Sequence, residues 1–147
     1  MTSYNYVRKQ LEKITDKEIT INIENGKNYS KETPSDVLLE STKKFSENSC
    51  TSSNVQFITE KSGKCLAHAE LSEFDSEPIA VIDWIGVEKE LRGNGIGRLL
   101  RKAVVEGLSD KKEIYTAIEN DKMISVALDQ GFKQIDEGEL SEWFVRK

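Results

Sequence analysis

The chain has 147 residues, 37% hydrophobic and 32% charged, which excludes a disordered segment and suits one domain with one core. A formal net charge of −5 argues against general nucleic-acid binding, which rests on Lys and Arg neutralising phosphate. No apolar run approaches the roughly 20 residues of a membrane span, and Met1 to Lys13 lack a signal-peptide apolar region, so a cytoplasmic protein with no membrane partner is expected.

Tyr4, Val7, Leu11 and Ile14 repeat at helical spacing and predict a short amphipathic helix over residues 3–14, an extension at the domain edge. Such a helix either packs on the edge or serves as a dimer contact or a cover, so monomer and homodimer both stay open. Ile19, Ile21 and Ile23 alternate with polar residues and predict a half-buried strand ended by Asn25-Gly26. Thr33-Pro34 then starts a helix, Thr33 as cap and Pro34 in the first position, with Val37, Leu38, Ser41 and Phe45 on one face. The polar run Ser49 to Asn54 reads as a loop.

Val55–Thr59 and Cys65–Phe74 form two strands around the hairpin signal Lys61-Ser62-Gly63-Lys64. Cys50 and Cys65 have no metal-ligand spacing and a single His68 cannot complete a zinc set, so free thiols and no metal are expected. His68 shares a strand face with Leu66 and Glu70; a packed histidine and a catalytic one are both compatible with that position. Ile79 to Val87 is apolar on both faces, apart from Asp83, and predicts a central strand covered on both sides.

The stretch Val87 to Leu100 follows: apolar strand, glycine-rich loop, amphipathic helix. Such a junction offers a row of backbone N–H groups and the positive end of a helix dipole, a site for phosphate. The P-loop pattern is missing, since no Gly-Lys-Ser/Thr follows, and the dinucleotide fingerprint fails because position 98 is Arg where its last glycine would stand. What is present is Arg-x-x-Gly-x-Gly, filled by Arg92, Gly95 and Gly97, with Val87 five residues upstream and Leu99-Leu100 downstream. The segment resembles the pyrophosphate-binding segment of the GNAT superfamily of acyl-CoA N-acyltransferases.

The helix continues to about Leu108, with Ile96, Leu99, Leu100, Ala103, Val104 and Leu108 as its buried stripe. Glu113–Glu119 is a strand returning beside Ile79–Val87 through a right-handed crossover. Asp121–Gln130 is a helix with Met123, Ile124, Ala127 and Leu128 facing inward and Gly131 just past its end. Phe132–Asp136 and Leu140–Val145 close the order as a strand pair around Glu137-Gly138-Glu139. Here too the pattern is similar to the GNAT family: Asn120 after the strand, then Gly131-Phe132, although Ala127 stands where that family typically has Tyr. At motif level the resemblance covers about Ile79 to Phe132.

The resemblance implies one α+β domain over residues 1–147, with a mixed, mostly antiparallel sheet of six to seven strands flanked by helices and splayed where Ile79–Val87 and Glu113–Glu119 part. It implies acetyl-CoA as acyl donor, with the backbone of Ile85 and Val87 pairing with the pantetheine arm. The N–H groups of Arg92, Gly93, Asn94, Gly95, Ile96 and Gly97 would hold the pyrophosphate. Arg98 would either add a phosphate contact or lie solvated on the first turn. Asn120 would either bond the pantetheine or cap its helix. The implied activity is N-acetyl transfer to a primary amine of a small molecule or protein. A non-catalytic acyl-CoA-binding regulatory domain is the alternative, for which Ala127 speaks.

Attack by a neutral amine on the thioester needs a base and an oxyanion donor. Asp83 interrupts the apolar strand and is the candidate base; a period of two sets it on one face with Ile85 and Val87, and a purely structural Asp is the competing reading. The backbone N–H of Val87 is the candidate oxyanion donor. Glu70 and Glu119 are further carboxylates near the cleft. Glu70, Glu73, Asp75 and Asp83 favour a cationic acceptor. With Ala127 in place of Tyr, neither Tyr115 nor Ser125 is aimed by the sequence at the departing sulfur.

Overall fold

Among the described residues, seven strands form a single sheet in the order β1-β2-β3-β4-β5-β7-β6. They are β1 (Ile19–Asn28), β2 (Cys50–Thr59), β3 (Cys65–Phe74), β4 (Ile79–Val87), β5 (Glu113–Ala117), β6 (Lys133–Gln134) and β7 (Trp143–Arg146). The α-helices among the described residues are α1 (Tyr4–Thr15), α2 (Ile96–Gly107) and α3 (Asp121–Asp129). The computed structural model describes residues 3–28, 50–74, 78–118, 120–135 and 143–147. The helix expected from Thr33-Pro34, with Val37, Leu38, Ser41 and Phe45, lies outside the described residues, as do Asp75, Glu119 and the Glu137-Gly138-Glu139 turn.

α1 begins where Ser3 Oγ accepts the Tyr6 N–H at 3.1 Å and stops where Asp16 turns left-handed (φ 54°). Val7 and Leu11 are fully buried, and Tyr4 stands edge-on to Phe57 with ring centroids 6.4 Å apart. Burial of Val7 and Leu11 is worth about 1.5–3 kcal/mol each. Ile14, the last member of the expected stripe, is exposed near the C-terminal end of the helix.

β1 does not end at Asn25-Gly26. It runs on to Asn28 because β2 starts at Cys50 and supplies a partner for every residue, Gly26 opposite Ser52 and Asn28 opposite Cys50. The expected Ser49–Asn54 loop is therefore strand from Cys50 onward. Its polar side chains are satisfied across the sheet, Ser53 Oγ donating to Asn25 Oδ1 at 2.7 Å and Ser52 Oγ lying 3.2 Å from Ser72 Oγ. Polarity there reflects the face these residues line, not the absence of a strand.

One face of the sheet carries the main core. Phe57, Ala67, Ala69, Leu71 and Ile82 meet Val7 and Leu11 of α1, Leu100 and Val104 of α2 and Ala127 of α3. Cys50, Phe74, Ile79, Val81 and Tyr115 form a second, smaller cluster. Leu66 belongs to the main core, not to the His68–Glu70 face. Phe57 pairs with Ala67 but Ile58 with Cys65, so Leu66 is passed over in the register and turns to the other side.

In α3 the inward residues are Val126 and Ala127, with Met123 and Ile124 partly buried; Leu128, expected inside, is 51% exposed. Gly131 (φ +91°) ends the helix. Its N–H bonds to the Leu128 carbonyl at 3.1 Å and the Phe132 N–H to the Ala127 carbonyl at 3.0 Å, the paired bonds of a glycine stop. The bend returns Phe132 to the core. Gly131→Ala is expected to cost about 1–2 kcal/mol, because a Cβ there is left-handed and would lie 3.4 Å from Arg146 Nε. A lowered urea midpoint with an unchanged m-value checks this.

Candidate functional site

β4 and β5 are parallel and pair only from Ile79 with Glu113 to Ile82 with Thr116. β5 then ends at Ala117, while β4 continues against β3 as far as Val87. A gap opens between them beyond Ile82. The N–H of Glu88 donates to the Leu66 carbonyl of β3 at 2.8 Å. Antiparallel main-chain groups alternate in direction, so the N–H and C=O of Val87, and of Ile85 two residues earlier, point away from β3 into the gap. Arg92 Nε, which donates to the Val87 carbonyl at 3.3 Å, approaches from that side.

A short 3-10 turn, Lys89–Leu91, separates β4 from the glycine loop. Asn94 Nδ2 donates to the Leu91 carbonyl at 2.9 Å and ties the loop back on that turn. Gly93 (φ +88°) and Gly95 (φ +76°) are both left-handed, and a Cβ on either would meet nothing within 4 Å. Gly95 is the N-cap of α2 without a side-chain cap, and the Leu99 N–H makes the first intrahelical bond, to Gly95 C=O at 3.0 Å. The N–H groups of Ile96, Gly97 and Arg98 thus have no partner within the helix. An open loop that only glycine can shape, leading to unsatisfied N–H groups at a helix start, fits a pyrophosphate.

Arg98 lies on the first turn of α2 and pairs with Asp129 of α3 at 3.3 Å, both side chains more than half exposed, so the pair adds little stability. Gln130 Nε2 donates to the Arg98 carbonyl at 3.2 Å, a second tie between the two helices. Asn120 caps α3, its Oδ1 accepting from the N–H of Lys122 at 2.9 Å and of Met123 at 3.4 Å.

Asp83 is not on the face of Ile85 and Val87. Leu71 pairs with Ile82 and Glu70 with Trp84, so Asp83 is the extra residue of a bulge. The bulge inverts the alternation: Ile82 packs in the main core, and so do Ile85 and Val87. Asp83 instead joins Ser72 on the other face, where Ser72 Oγ donates to its Oδ2 at 2.7 Å. Nor is β4 covered on both sides throughout. Ile79 to Ile82 are buried, whereas Asp83 is exposed and Trp84 is 59% exposed.

Beside Asp83 lies an open recess of about 430 Å³, lined among others by Glu24, Asn25, Ser52, Asn54 and Glu70. Its described lining carries three carboxylates and no cation. Asn54 Oδ1 is shielded from solvent and has no hydrogen-bond partner. His68 and Trp84 close over Gly86, where a Cβ would lie 2.5 Å from His68 Cε1 and 3.0 Å from Trp84 Nε1. Gly86, a glycine inside a strand, is the sequence signal that was available for this close approach.

Of the residues considered for the departing sulfur, Tyr115 donates to Glu113 Oε2 and packs in the smaller cluster, and burial with that carboxylate pushes its hydroxyl pKa up. Ser125 is exposed on α3, and Ala127 is fully buried. Arg101 of α2 is buried, and burial lowers its pKa to about 10. Arg101 lies outside the expected stripe of Ile96, Leu99, Leu100, Ala103, Val104 and Leu108, so its burial had no signal in the sequence.

The family model described as "Acetyltransferase (GNAT) family" matches residues 21–132. No curated protein sequence matches the chain. Among solved structures, the chain is similar to an acetyltransferase from Thermus thermophilus (TM-score 0.52, 18% identity), over 65% of this chain and 63% of that one, less than two thirds of its length. It is also similar to a PaiA N-acetyltransferase from Thermoplasma acidophilum in complex with coenzyme A (TM-score 0.50, 16% identity, 64% and 59% covered). A third is the AtaT Y144F mutant toxin bound to the C-terminus of the antitoxin AtaR and acetyl-CoA (TM-score 0.53, 12% identity, 86% and 91% covered). At these identities the likeness is one of fold.

Proposed function

This chain belongs to the GNAT acetyltransferase family, and from that premise we propose that it transfers an acetyl group from acetyl-CoA to a cationic primary amine. The observation that carries this reading is the gap that opens beyond Ile82, where the next residue of β4, Asp83, lines the acidic recess. Acetyl-CoA supplies the activated thioester when bound. The N–H groups of the Gly93–Gly97 loop bind its pyrophosphate, the Arg92 N–H expected among them being spent on the Lys89 carbonyl at 3.3 Å, and Ile85 and Val87 pair with its pantetheine arm as an added strand. An arm that pairs with Val87 and then Ile85 runs inward from the loop and sets the thioester beyond Ile85, near Asp83, so the Val87 N–H serves the arm and not the oxyanion.

The recess carries the acceptor. Glu24, Glu70 and Asp83 favour an ammonium group, which must lose a proton before it attacks. Asp83 takes that proton, directly or through a water, and Ser72 Oγ orients its carboxylate. Net charge of −5 is in keeping with a cationic acceptor and against nucleic acid as partner. Replacing Ser72 by Ala is expected to lower kcat about three- to tenfold, the net value of one hydrogen bond of about 1 kcal/mol, with little change in acetyl-CoA affinity.

Calorimetry with acetyl-CoA, followed by a panel of amines and detection of free thiol, tests the reading. Binding with thiol release on a cationic amine supports it. Binding without release on any amine favours the regulatory alternative, for which Ala127 speaks. No binding refutes both.

A further inference from the structure

Arg101 makes no ion pair among the described residues, although it is only 5% exposed. Its Nη1 donates to Thr116 Oγ1 at 3.2 Å, and its Nε is buried without a partner. Thr116 Oγ1 in turn donates to the Ile82 carbonyl at 3.3 Å. Ile82 and Thr116 are the last pair before β4 and β5 part, so this buried cation reaches the inner end of the gap. An uncompensated buried guanidinium is costly, and a methionine would fill the same space without that cost. An anion brought to the inner end of the gap would offset it.

We infer that Arg101 is a charge receptor for the thiolate that departs from acyl-CoA, acting in place of a proton donor. The inference rests on the acyl-CoA reading of the gap and goes beyond it. The amine lone pair forms the C–N bond, and the C–S bond breaks with its electrons on sulfur. Two protons leave the nitrogen: Asp83 takes the ammonium proton before attack and passes it to solvent, then takes the second as the C–N bond forms, and the thiolate is held by the guanidinium without needing either. With Ala127 buried, Ser125 exposed and Tyr115 committed to Glu113, none of those three side chains offers a proton at the gap.

The test titrates the thiol of CoA bound to the whole protein, followed by thiolate absorbance, in wild type, Arg101→Met and Arg101→Lys. A free thiol of this kind titrates at about 8.5, and an adjacent cation lowers it by about 1–3 units. The wild type is expected to show that lowering, Arg101→Met to lose it, and Arg101→Lys to retain part of it. In turnover, Arg101→Met loses at least tenfold in kcat at nearly constant KM. Bound CoA with the same thiol titration in wild type and Arg101→Met overturns the inference and leaves the acyl-CoA reading standing. A wild-type preference for succinyl-CoA over acetyl-CoA that Arg101→Met abolishes, with no change in thiol titration, also overturns it and gives the charge to an acidic acyl tail. Failure of CoA to bind overturns the reading and the inference together.

Discussion

Gly95→Glu is expected to weaken acetyl-CoA binding at least a hundredfold, about 2.7 kcal/mol or more. Two effects add. Gly95 holds φ +76°, where an L-residue costs about 1–2 kcal/mol. The new carboxylate also stands at the start of α2, where the helix dipole and free N–H groups favour an incoming anion, and it repels the pyrophosphate. Gly95→Ala separates the two, because it carries the strain without the charge and should lose about tenfold. Calorimetry reads both variants, and melting temperature reports whether the loop strain spreads to the fold. Wild-type affinity in Gly95→Glu would remove the phosphate assignment from the loop.

Asp83→Asn is expected to lower kcat by about 10²–10³ while acetyl-CoA affinity stays within twofold, the range for loss of a general base. The amide keeps the shape and still accepts the Ser72 hydrogen bond, so the loss reports proton transfer and not packing. Glu70→Gln alters the same recess one strand away and should act mainly on the KM of the amine. Steady-state kinetics with the best amine from the panel decides the matter. If Glu70→Gln takes the large kcat loss and Asp83→Asn does not, the base is Glu70.

Helices and most strands could be read from the chain because their signals are local. The stripe Ile96, Leu100, Val104 specifies one face of a helix wherever that helix is placed, and Gly131 specifies a stop through φ alone. The strand Cys50–Asn54 escaped that reading. Its residues are Cys, Thr, Ser, Ser and Asn, and only pairing with both Asn28–Glu24 and Phe74–Glu70 makes them a strand. Leu128 escaped it for another reason: the inward arc of α3 is set by where α2 and the sheet lie, and it falls on Val126 and Ala127.

The sequence by itself determined the order of elements, the glycine loop before α2 and the family to which the chain belongs, since each depends on residues within a few positions of one another. The tertiary structure decided which face receives which side chain. A period-two count puts Asp83 with Ile85 and Val87; one inserted residue, visible only in the pairing of β3 with β4, sends it to the acidic recess instead. Likewise Arg101 is an ordinary helix residue in the sequence. It becomes a buried cation, without an ion pair among the described residues, only when α2 packs on the last Ile82–Thr116 rung. Register and burial arise from contacts between segments far apart in the chain, and those contacts set the chemistry of the site.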